Sequence, residues 1–367
     1  MTANGEYGFK HAYQGFPLNA WYVAAFSHEL GDKPLVRRIC GDLVVMFRTA
    51  NGEAVALLDR CPHRATPLSM GTVVGNAIQC GYHGMEFGPG GKCVKIPSQA
   101  RIPERMKARA YPIAEIWKWI WIWPGDPEKA DPALIPDHHE LKLTDKSWNA
   151  MPQFIVPMSG SAEMLHENLL DTTHITFLHK GAFDSGGMAT TEPKMEIKGN
   201  AIRVWRELEE TATAMTARSF EIVEGVTYKR SLITEARVPH LEIVSNVFED
   251  PAGREATRIR TSVIAVTPGG PHLCYQINTL VTNYGSLRTM QFKSAEAQQM
   301  IERVKGVIHQ DRDMIGAIQA NYAEAGDEIG EVSVHADKAA LEFRRKMVEM
   351  INAERNAAAA RATRSAG

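Results

Sequence analysis

The sequence predicts an α+β protein of two domains, a small antiparallel β domain followed by an antiparallel sheet packed on helices. The first part contains short β-branched and aromatic runs separated by turns, and the second part mixes such runs with long amphipathic helices. A segment rich in Pro, Asp and Gly, residues 124–136, separates the two. A chain of 367 residues has the length of two domains, which we place at 1–130 and 131–367.

The first domain is predicted to be built from short strands. Ala20–Phe26 is one strand, and Leu35–Arg48 is a hairpin divided by a turn at Cys40-Gly41-Asp42. Two further apolar runs, Ala54–Leu58 and Ala77–Gln79, also have strand character. In residues 112–123 tryptophans alternate with other residues, and this period of two predicts a single strand.

The second domain is predicted to combine strands with helices. Its strand-like runs are Ala201–Arg206, His240–Phe248 and His272–Thr282, and its helices cover Ser161–Asp171, Ser294–Ala323 and Asp337–Ala353. The Ala- and Arg-rich tail that follows is expected to fray. Antiparallel strands together with helices of this length predict a sheet with one face covered by the helices.

Composition argues against several classes of function. The 41 Lys and Arg residues nearly balance the 43 Asp and Glu residues without a basic block, so we expect no nucleic-acid partner. Five cysteines with no obvious pairing are typical of a reducing compartment. Residues 1–10 lack the apolar run of a secretory signal, and no run of about twenty apolar residues occurs. We therefore expect a soluble cytoplasmic protein without a membrane segment.

The most specific motif consists of Cys61-x-His63 and Cys80-x2-His83, each preceded by a short apolar strand. Zinc accepts two Cys and two His, but its motifs usually begin with two closely spaced cysteines. A Rieske [2Fe-2S] cluster has two Cys on one iron and two His on the other, and the interleaved ligand order favours this cluster. An electron carrier or a zinc-stabilised binding module remains the alternative without catalysis.

A second set of polar residues lies in the second half of the chain. Asn168, Asp171 and His174 are spaced by three, which places them on one face of a helix. His179 follows His174 by five residues, so both bind one metal only where the helix ends or bends between them. The β-branched residues of 172–176 favour such an end. Two His and one carboxylate on an iron ion leave positions open for oxygen and substrate.

The carboxylate is predicted from the helix that starts at Ser294. Its apolar stripe has alternating spacings of three and four residues: Ile301, Val304, Ile308, Asp311, Ile315 and Ile318. A buried carboxylate is costly unless it is paired or bound to a metal. Asp313 and His309 lie off the stripe, so we select Asp311 as the third ligand. An Asp that caps a neighbouring backbone group is the alternative.

Other candidate residues are assigned ordinary roles. We interpret His166 as structural and the adjacent pair His138 and His139, in a polar loop, as solvated. The substrate pocket is expected between the 200–290 sheet and the helix around Asn168. Three arginines of this region are interpreted as surface charges rather than contacts to an acidic substrate: Arg218, Arg230 and Arg237.

The motifs together resemble those of the oxygenase components of Rieske non-haem iron oxygenases. The similar segments are the cluster motif, the mononuclear iron motif and the helical segment with the carboxylate ligand: Cys61-x-His63 with Cys80-x2-His83, Asn168-x2-Asp171-x2-His174-x4-His179, and Gln310-Asp311. The resemblance spans residues 20–350. The chain length and residues 331–337 are most similar to the branch of vanillate O-demethylase and dicamba monooxygenase.

This resemblance implies an all-β Rieske domain followed by a helix-grip-like catalytic domain. It also implies a [2Fe-2S] cluster on Cys61, His63, Cys80 and His83, and a mononuclear Fe(II) on His174, His179 and Asp311. The expected assembly is a homotrimer. NAD(P)H acts only through a separate flavin and [2Fe-2S] reductase, directly or through a ferredoxin.

The resemblance further implies a route for electrons between subunits. His83 of one chain faces Asp171 of the next, Asp171 holds His174, and Asn168 lies near the iron. This arrangement matches the general rule that a metal-bound histidine donates its other N–H to a carboxylate.

We therefore predict the terminal oxygenase component of a multicomponent monooxygenase. With O2 and electrons from NAD(P)H, it hydroxylates, or O- or N-demethylates, an aromatic or similarly compact small molecule. Hydroxylation of a methyl carbon gives an unstable hemiacetal or hemiaminal, which loses formaldehyde. A ring-hydroxylating dioxygenase that forms a cis-diol shares the iron ligands and stays open as an alternative.

Overall fold

The computed structural model describes residues 15–31, 33–180, 186–285, 295–325 and 330–365. They fall into two compact units. Phe16–Ile135 and Thr267–Gly270 form one, here called the N-terminal unit, and Pro136–Val266 with the chain from Pro271 onwards forms the C-terminal unit. The predicted boundary between residues 130 and 131 stays a prediction. Residues 1–10, on which the expected absence of a secretory signal depended, lie outside the described residues.

The N-terminal unit is built from short antiparallel strands, as predicted. They are β1 Tyr22–Phe26, β2 Leu35–Ile39, β3 Asp42–Arg48, β4 Ala54–Leu58, β5 Thr72–Val74, β6 Ala77–Gln79, β7 Glu86–Phe87, β8 Cys93–Lys95, β9 Ile113–Ile116 and β10 Trp119–Ile122. Three sheets result, with the orders β1-β10-β9, β2-β3-β4 and β5-β6-β7-β8. The predicted hairpin turns at Cys40 and Gly41, which both have positive φ, of 46° and 89°.

The tryptophan-rich segment differs from the prediction of one strand over 112–123. It forms the hairpin of β9 and β10, and the chain turns at Trp117, whose φ is 58°. All four residues of β10 are buried, because both of its faces are covered. Ile120 and Ile122 belong to an apolar cluster with Tyr22, whereas Trp119 and Trp121 contact each other's rings with centroids 5.7 Å apart.

Strand β3 separates two apolar clusters in the N-terminal unit. Val44 and Met46 belong to one cluster, and Val45 and Phe47 to the other, since successive side chains point to opposite faces. The second cluster also contains Cys61, Leu68, Ile78, Cys80 and Phe87. The two cysteines of the ligand motif are therefore part of the packed core.

Among its described residues, the C-terminal unit contains one antiparallel sheet of eight strands. These are β11 Asn149–Ala150, β12 Phe154–Met158, β13 Lys194–Lys198, β14 Ala201–Thr211, β15 Thr227–Arg237, β16 Leu241–Glu249, β17 Arg258–Gly270 and β18 Leu273–Thr282. The order is β11-β18-β17-β16-β15-β14-β13, and β12 also pairs with β18. In β14 and β15 the even-numbered residues are the buried ones, and their register partners in β16 and β17 share that face, here called the inner face.

Five helices accompany this sheet within the part of the chain that the structure describes. They are α1 Ala162–Leu170, α2 Ile175–Leu178, α3 Ala214–Phe220, α4 Ala295–Ala325 and α5 Lys338–Ser365. Side chains of α1 and α4 form an apolar cluster with β12, β17 and β18, and α5 packs on β14 and β15. Phe220 of α3 belongs to a separate cluster with Tyr228, Phe248 and Tyr284. The sheet is thus covered on its inner face, as predicted.

Two local predictions in this unit were wrong. The tail was expected to fray, but α5 continues to Ser365, because its Ala, Arg and Glu residues are strong helix formers. His138 was expected to be solvated, but it is buried, because Leu143 N–H folds back onto its carbonyl oxygen at 2.9 Å. Burial lowers the pKa of His138 to about 4. Its neighbour His139 is exposed.

Within the described ranges, none of the helices combines the length and the apolar character needed to cross a bilayer.

Adjacent glycines at the turn before β8 provide a matched test of the N-terminal core. Gly90 and Gly91 both have positive φ, of 72° and 76°. A Cβ at Gly90 meets nothing within 4 Å, whereas one at Gly91 would lie 2.0 Å from the Ala108 carbonyl oxygen. We expect Gly90→Ala to cost about 1–2 kcal/mol from the left-handed backbone alone, and Gly91→Ala to cost clearly more. Urea unfolding of both variants tests this, and equal losses would contradict it.

Candidate functional site

Two loops of the same backbone form carry the four residues of the cluster motif. In each loop the cysteine N–H donates to the carbonyl oxygen five residues further on over 2.8 Å, and the cysteine carbonyl oxygen accepts from the N–H four residues on. That fourth residue, Ala65 after Cys61 and Gly84 after Cys80, has a positive φ in both loops, 57° and 68°. The two loops therefore present their cysteines and histidines in equivalent ways.

The side chains of these loops group by type. Cys61 and Cys80 are both buried, and burial, together with the neighbouring Cys80 thiol, raises the pKa of Cys61. The imidazoles of His63 and His83 face each other, with ring centroids 4.7 Å apart and planes at 68°. The Nδ1 atom of His63 is buried and has no hydrogen-bond partner among the described residues. Two sulfurs on one side and two imidazoles on the other suit a cluster with two differently ligated irons.

A single ion suits these four residues less well. Tetrahedral zinc requires all four ligand atoms close to one another. Among the described residues, one group of three or more His, Cys, Asp and Glu side chains has its ligand atoms within 4.8 Å of one another, and it is His174, His179 and Asp311. The four residues of the cluster motif do not form such a group, which favours a centre with more than one metal ion.

The second centre is built on a helix end that lies earlier than predicted. Helix α1 stops at Leu170, and Asp171 follows it in extended conformation. Asn168, Asp171 and His174 therefore do not share one helix face, contrary to the expectation from their spacing. His174 and His179 instead flank the single turn of α2. Because this turn lies between them, both rings reach one point, with centroids 5.2 Å apart.

Asp311 of α4 completes this group. Its Oδ1 atom lies 3.1 Å from Nε2 of His179 and 3.6 Å from Nε2 of His174. Asn168 Nδ2 donates to the same Oδ1 over 3.2 Å. Asp311 and His179 are buried, and His174 is half-buried. Two imidazole nitrogens and one carboxylate on one side of a point form the donor set of non-haem iron centres.

The Nδ1 atom of each imidazole makes a contact on the side of the ring away from Asp311. Nδ1 of His174 donates to the backbone carbonyl oxygen of Asp171 over 2.5 Å, and Nδ1 of His179 lies 2.8 Å from Oε1 of Gln310. Such contacts fix the tautomer and direct Nε2 of each ring towards Asp311, on the side where a metal would bind. Gln310 was recognised in the sequence only as the neighbour of Asp311, and its role becomes visible once α4 places it beside His179.

Asp171 holds His174, but through its backbone rather than its carboxylate. The Asp171 carboxylate instead accepts from Thr173, whose N–H is 2.8 Å and whose hydroxyl is 2.6 Å from Oδ1. Arg206, buried on the inner face of β14, donates to the Thr172 hydroxyl. Arg206 was not predicted from the sequence, although its even position in a strand with buried even residues was a usable signal.

Without a metal, the two histidines titrate differently. Burial lowers the pKa of His174, although the charge of Asp311 acts in the opposite direction. Burial also acts on His179, but the hydrogen bond and charge of Asp311 and the contact with Gln310 outweigh it and raise the pKa. A bound cation would replace the proton that His179 shares with Asp311, since metal binding requires neutral imidazole and ionised carboxylate.

The apolar stripe that contains Asp311 is buried along most of its predicted length in α4. Ile301, Ile308 and Ile315 are buried together with Asp311. Ile318 is 39% exposed, so the stripe ends earlier than predicted. Off the stripe, Asp313 is exposed and bonds to Arg312.

His166 is structural, as interpreted from the sequence. Its ring is fully buried between Oε1 of Glu242, at 2.7 Å, and the carbonyl oxygen of Pro239, at 3.1 Å. Burial lowers its pKa to about 3. The imidazole is thus neutral and fixed on the buried side of α1, and both of its nitrogens are in hydrogen-bond contact.

Two family models match the chain. Residues 158–353 match the vanillate O-demethylase oxygenase C-terminal domain, which covers more than half of the chain. The chain belongs to this family. Residues 20–111 match the Rieske [2Fe-2S] domain, which confirms the predicted cluster over the zinc alternative.

The family assignment is supported by individual relatives and by a solved structure. A putative toluene-4-sulfonate monooxygenase iron-sulfur subunit of Comamonas testosteroni is 39% identical over 183 residues, 48% of this chain and 51% of that protein. A vanillate O-demethylase oxygenase subunit of Pseudomonas sp. is 37% identical over 187 residues, 51% and 52% of the two chains. The chain thus spans about half the length of these curated relatives. Dicamba monooxygenase bound to dicamba superimposes with a TM-score of 0.82 at 26% identity, covering 93% of this chain and 99% of that one.

The expected cofactors and fold are those of this family. A Rieske domain precedes a domain with an antiparallel sheet and helices, as predicted. Solved structures of dicamba monooxygenase include one with non-haem iron. In this chain, the group of His174, His179 and Asp311 has the donors for such an ion.

The ligand assignment predicts a selective loss of metal. Asp311→Ala removes the carboxylate that faces both histidines, so we expect loss of the mononuclear iron with the [2Fe-2S] absorption unchanged. Asp313→Ala, on the same helix but exposed, is the control and should retain both. Metal analysis with visible spectroscopy measures this. Full iron content in the Asp311 variant would exclude Asp311 as a ligand.

Proposed function

We propose that this protein is the terminal oxygenase component of a multicomponent Rieske monooxygenase that hydroxylates or demethylates a small organic molecule. The observation that carries this proposal is the presence, in one chain, of two loops suited to a redox cluster and a second centre of two histidines and one carboxylate. A plain electron carrier has no use for the second centre. Its open coordination positions are suited to reaction with oxygen.

The iron ion of the second centre, when bound, supplies the activation of O2, with one oxygen atom transferred to the substrate and the other released as water after two electrons and two protons are taken up. The protein residues hold this centre in place. Gln310 and the Asp171 backbone fix the histidine rings, and Asn168 donates to the Asp311 carboxylate. Because all three donors are buried or half-buried, the surrounding side chains also limit access of water.

Demethylation or related C–N and C–O cleavage is the reaction that the relatives favour. Their names include vanillate O-demethylase, dicamba O-demethylase and chloroacetanilide N-alkylformylase. In such a reaction the methyl carbon is hydroxylated, and the hemiacetal or hemiaminal then loses formaldehyde. We propose an aromatic or similarly compact substrate for this chain.

The surface beside the second centre is suited to a partner subunit. A cavity of about 800 Å³ in the C-terminal unit is lined by Asp171 and His174. Large apolar side chains at its rim are exposed, with Phe177 at 74% and Val332 at 91%. Exposed apolar groups around a cavity mark an interaction surface.

The cluster loops and the segment between them also expose large apolar side chains. Tyr82, whose ring contacts that of His83 at 3.9 Å between centroids, is 65% exposed, and Met70 nearby in sequence is 74% exposed. We propose that the cluster loops of one subunit bind the surface beside Asp171 of the next, in a homotrimer. Asp171 then bridges His83 of the neighbouring subunit to His174, through the short segment that also bonds the His174 ring.

The electrons are proposed to come from NAD(P)H through a separate flavin and [2Fe-2S] reductase, directly or by way of a ferredoxin. We propose a cytoplasmic location, since the cysteines form no disulfide among the described residues.

The composition of the purified protein and its products test the function. We expect about three irons and two sulfides per chain with negligible zinc, since a Rieske cluster and one mononuclear ion together contain these atoms. With reductase, NAD(P)H and a methoxylated or N-methylated aromatic panel, formaldehyde should form in proportion to O2 consumed. A cis-diol product would instead establish ring dihydroxylation, and one zinc without sulfide would refute both.

Asp171→Asn tests the electron route. Both metal centres should stay loaded, because neither ligand set changes, whereas product formed in a single turnover of the pre-reduced protein should slow by about 10-fold or more. Asp313→Asn serves as the control. If the Asp171 variant reacts at the wild-type rate, Asp171 is not part of the route.

A further inference from the structure

Three residues, Asp171 to Thr173, connect the end of α1 to the metal ligand His174 and are here called the bridge segment. The Asp171 N–H donates to the carbonyl oxygen of Glu167 over 2.9 Å, and the Asp171 carbonyl oxygen lies 2.5 Å from Nδ1 of His174. The Asp171 carboxylate accepts from the N–H and the hydroxyl of Thr173. The first and last residues of the bridge segment are thus held by residues close to them in the sequence.

The middle residue of the bridge segment, Thr172, is held by the sheet. Its side chain is buried, and its hydroxyl accepts from Nη1 of Arg206 in β14. Nε of the same guanidinium donates to the carbonyl oxygen of Thr191 over 3.0 Å. Among the hydrogen bonds of the described residues, the one between Arg206 and Thr172 is the single bond that joins the bridge segment to the sheet. Arg206 is therefore the residue through which β14 holds this segment.

An arginine is an unusual residue at this position. The Arg206 side chain is buried, and both of its described hydrogen bonds end on neutral oxygen atoms rather than on a carboxylate. Burial lowers the pKa of its guanidinium, and the charges of Asp171 and Glu192 act in the opposite direction. A buried cation without a bonded acid destabilises a fold, and apolar side chains of similar volume are often better tolerated. Packing alone therefore does not explain an arginine here.

We propose that Arg206 is a positioning residue for electron transfer between the two metal centres. By holding the middle of the bridge segment, it keeps Asp171 in place between His83 of the neighbouring subunit and His174. This inference rests on the proposed function, which gives Asp171 its bridging role. Within the described part of the chain, the hydrogen bonds of Arg206 reach no metal ligand. Its effect on the two centres therefore passes through the bridge segment.

The geometry of the peptide bond explains how a hydroxyl contact controls the bridge. The carbonyl group of Asp171 and the N–H of Thr172 belong to one planar unit, so the two move together. If Thr172 shifts, the oxygen atom that contacts the His174 ring shifts with it, and so does the Cα atom that carries the Asp171 carboxylate. Groups at a functional site must be held within about 0.5 Å of their productive geometry, and a misplacement of about 1 Å can lower a rate by about 100-fold. Loss of the Arg206 contact is therefore expected to slow electron transfer.

Two substitutions of Thr172 isolate its hydroxyl. Thr172→Val replaces the hydroxyl with a methyl group of similar size, whereas Thr172→Ser keeps the hydroxyl and removes the methyl group. Each metal-loaded protein is reduced and then mixed with O2 and the methoxylated or N-methylated aromatic from which the wild type releases most formaldehyde. The visible absorption of the cluster follows its reoxidation. We expect reoxidation to slow by about 10-fold or more in Thr172→Val and to stay near the wild-type rate in Thr172→Ser. Equal rates in the two variants would overturn the inference.

A double-mutant cycle assigns the effect to Arg206. Arg206→Gln shortens the side chain and removes its charge, and it should slow reoxidation at least as much as Thr172→Val. Since both variants break the same contact, the combined variant should be no slower than Arg206→Gln alone, and additive slowing would overturn the inference. Arg203→Gln, exposed on the outer face of the same strand, is the matched control and should react at the wild-type rate. If Arg206→Gln fails to fold, the two Thr172 variants decide alone.

Two measurements without turnover separate positioning from a purely structural role. Iron and sulfide content should be unchanged in Thr172→Val, because no ligand is altered, and loss of the mononuclear iron would overturn the inference. Hydrogen exchange of the peptide with residues 171–174 should be about 10-fold faster in Thr172→Val than in Thr172→Ser, since a lost hydrogen bond lowers the free energy of local opening. Equal exchange in the two variants would contradict the holding of the bridge segment by Arg206.

The outcome is separable from that of the proposed function. If no compound of the panel yields formaldehyde with the wild-type protein, the proposed oxygenase is refuted before any variant is compared. If the wild type reacts and Thr172→Val matches it, only the role of Arg206 is refuted. A slow Asp171→Asn variant beside an unaffected Thr172→Val variant likewise leaves the electron route intact and removes Arg206 from it.

Discussion

The burial of one carboxylate, Asp311, governs the construction of the C-terminal unit. An isolated carboxylate in an apolar stripe of α4 would destabilise the fold, so the surrounding residues supply donors. Two imidazoles and one amide reach it, and the two imidazoles are held in turn by Gln310 and by the backbone after α1. Folding thus brings several metal-binding side chains close together at a cost in free energy. A bound cation stabilises this arrangement.

The sequence was sufficient where a residue type contradicted its surroundings. The position of Asp311 in an apolar stripe was enough to predict it as the carboxylate ligand. The interleaved Cys and His pairs were enough to predict the cluster loops before any comparison. The short apolar runs before those loops were predicted as strands, and they are β4 and β6. In the N-terminal unit the prediction failed at Trp117, because a strand covered on both faces and a hairpin with a short turn give similar alternating patterns.

The remaining features depend on hydrogen bonds and on strand register, which residue spacing does not reveal. The end of α1 at Leu170 follows from Asp171 and Thr173, whose mutual hydrogen bonds compete with the helix, and a spacing of three residues could not reveal this. The burial of Arg206 and Arg230 depends on the strand register across β14 to β17. A single sequence does not specify that register, so Arg230, which is buried and lies 2.6 Å from Glu210, was wrongly assigned to the surface.

Helix α4 runs without interruption from Ala295 to Ala325. Ile301 and Val304 near its start line a small cavity with Ser262, and Asp311 two turns later faces the histidines. One continuous helix therefore carries both a wall of this small cavity and a predicted metal ligand. Any displacement of its axis would alter the two together, so the occupancy of this small cavity and the affinity of Asp311 for a metal are thermodynamically linked. By reciprocity, each ligand must strengthen or weaken the binding of the other by the same factor.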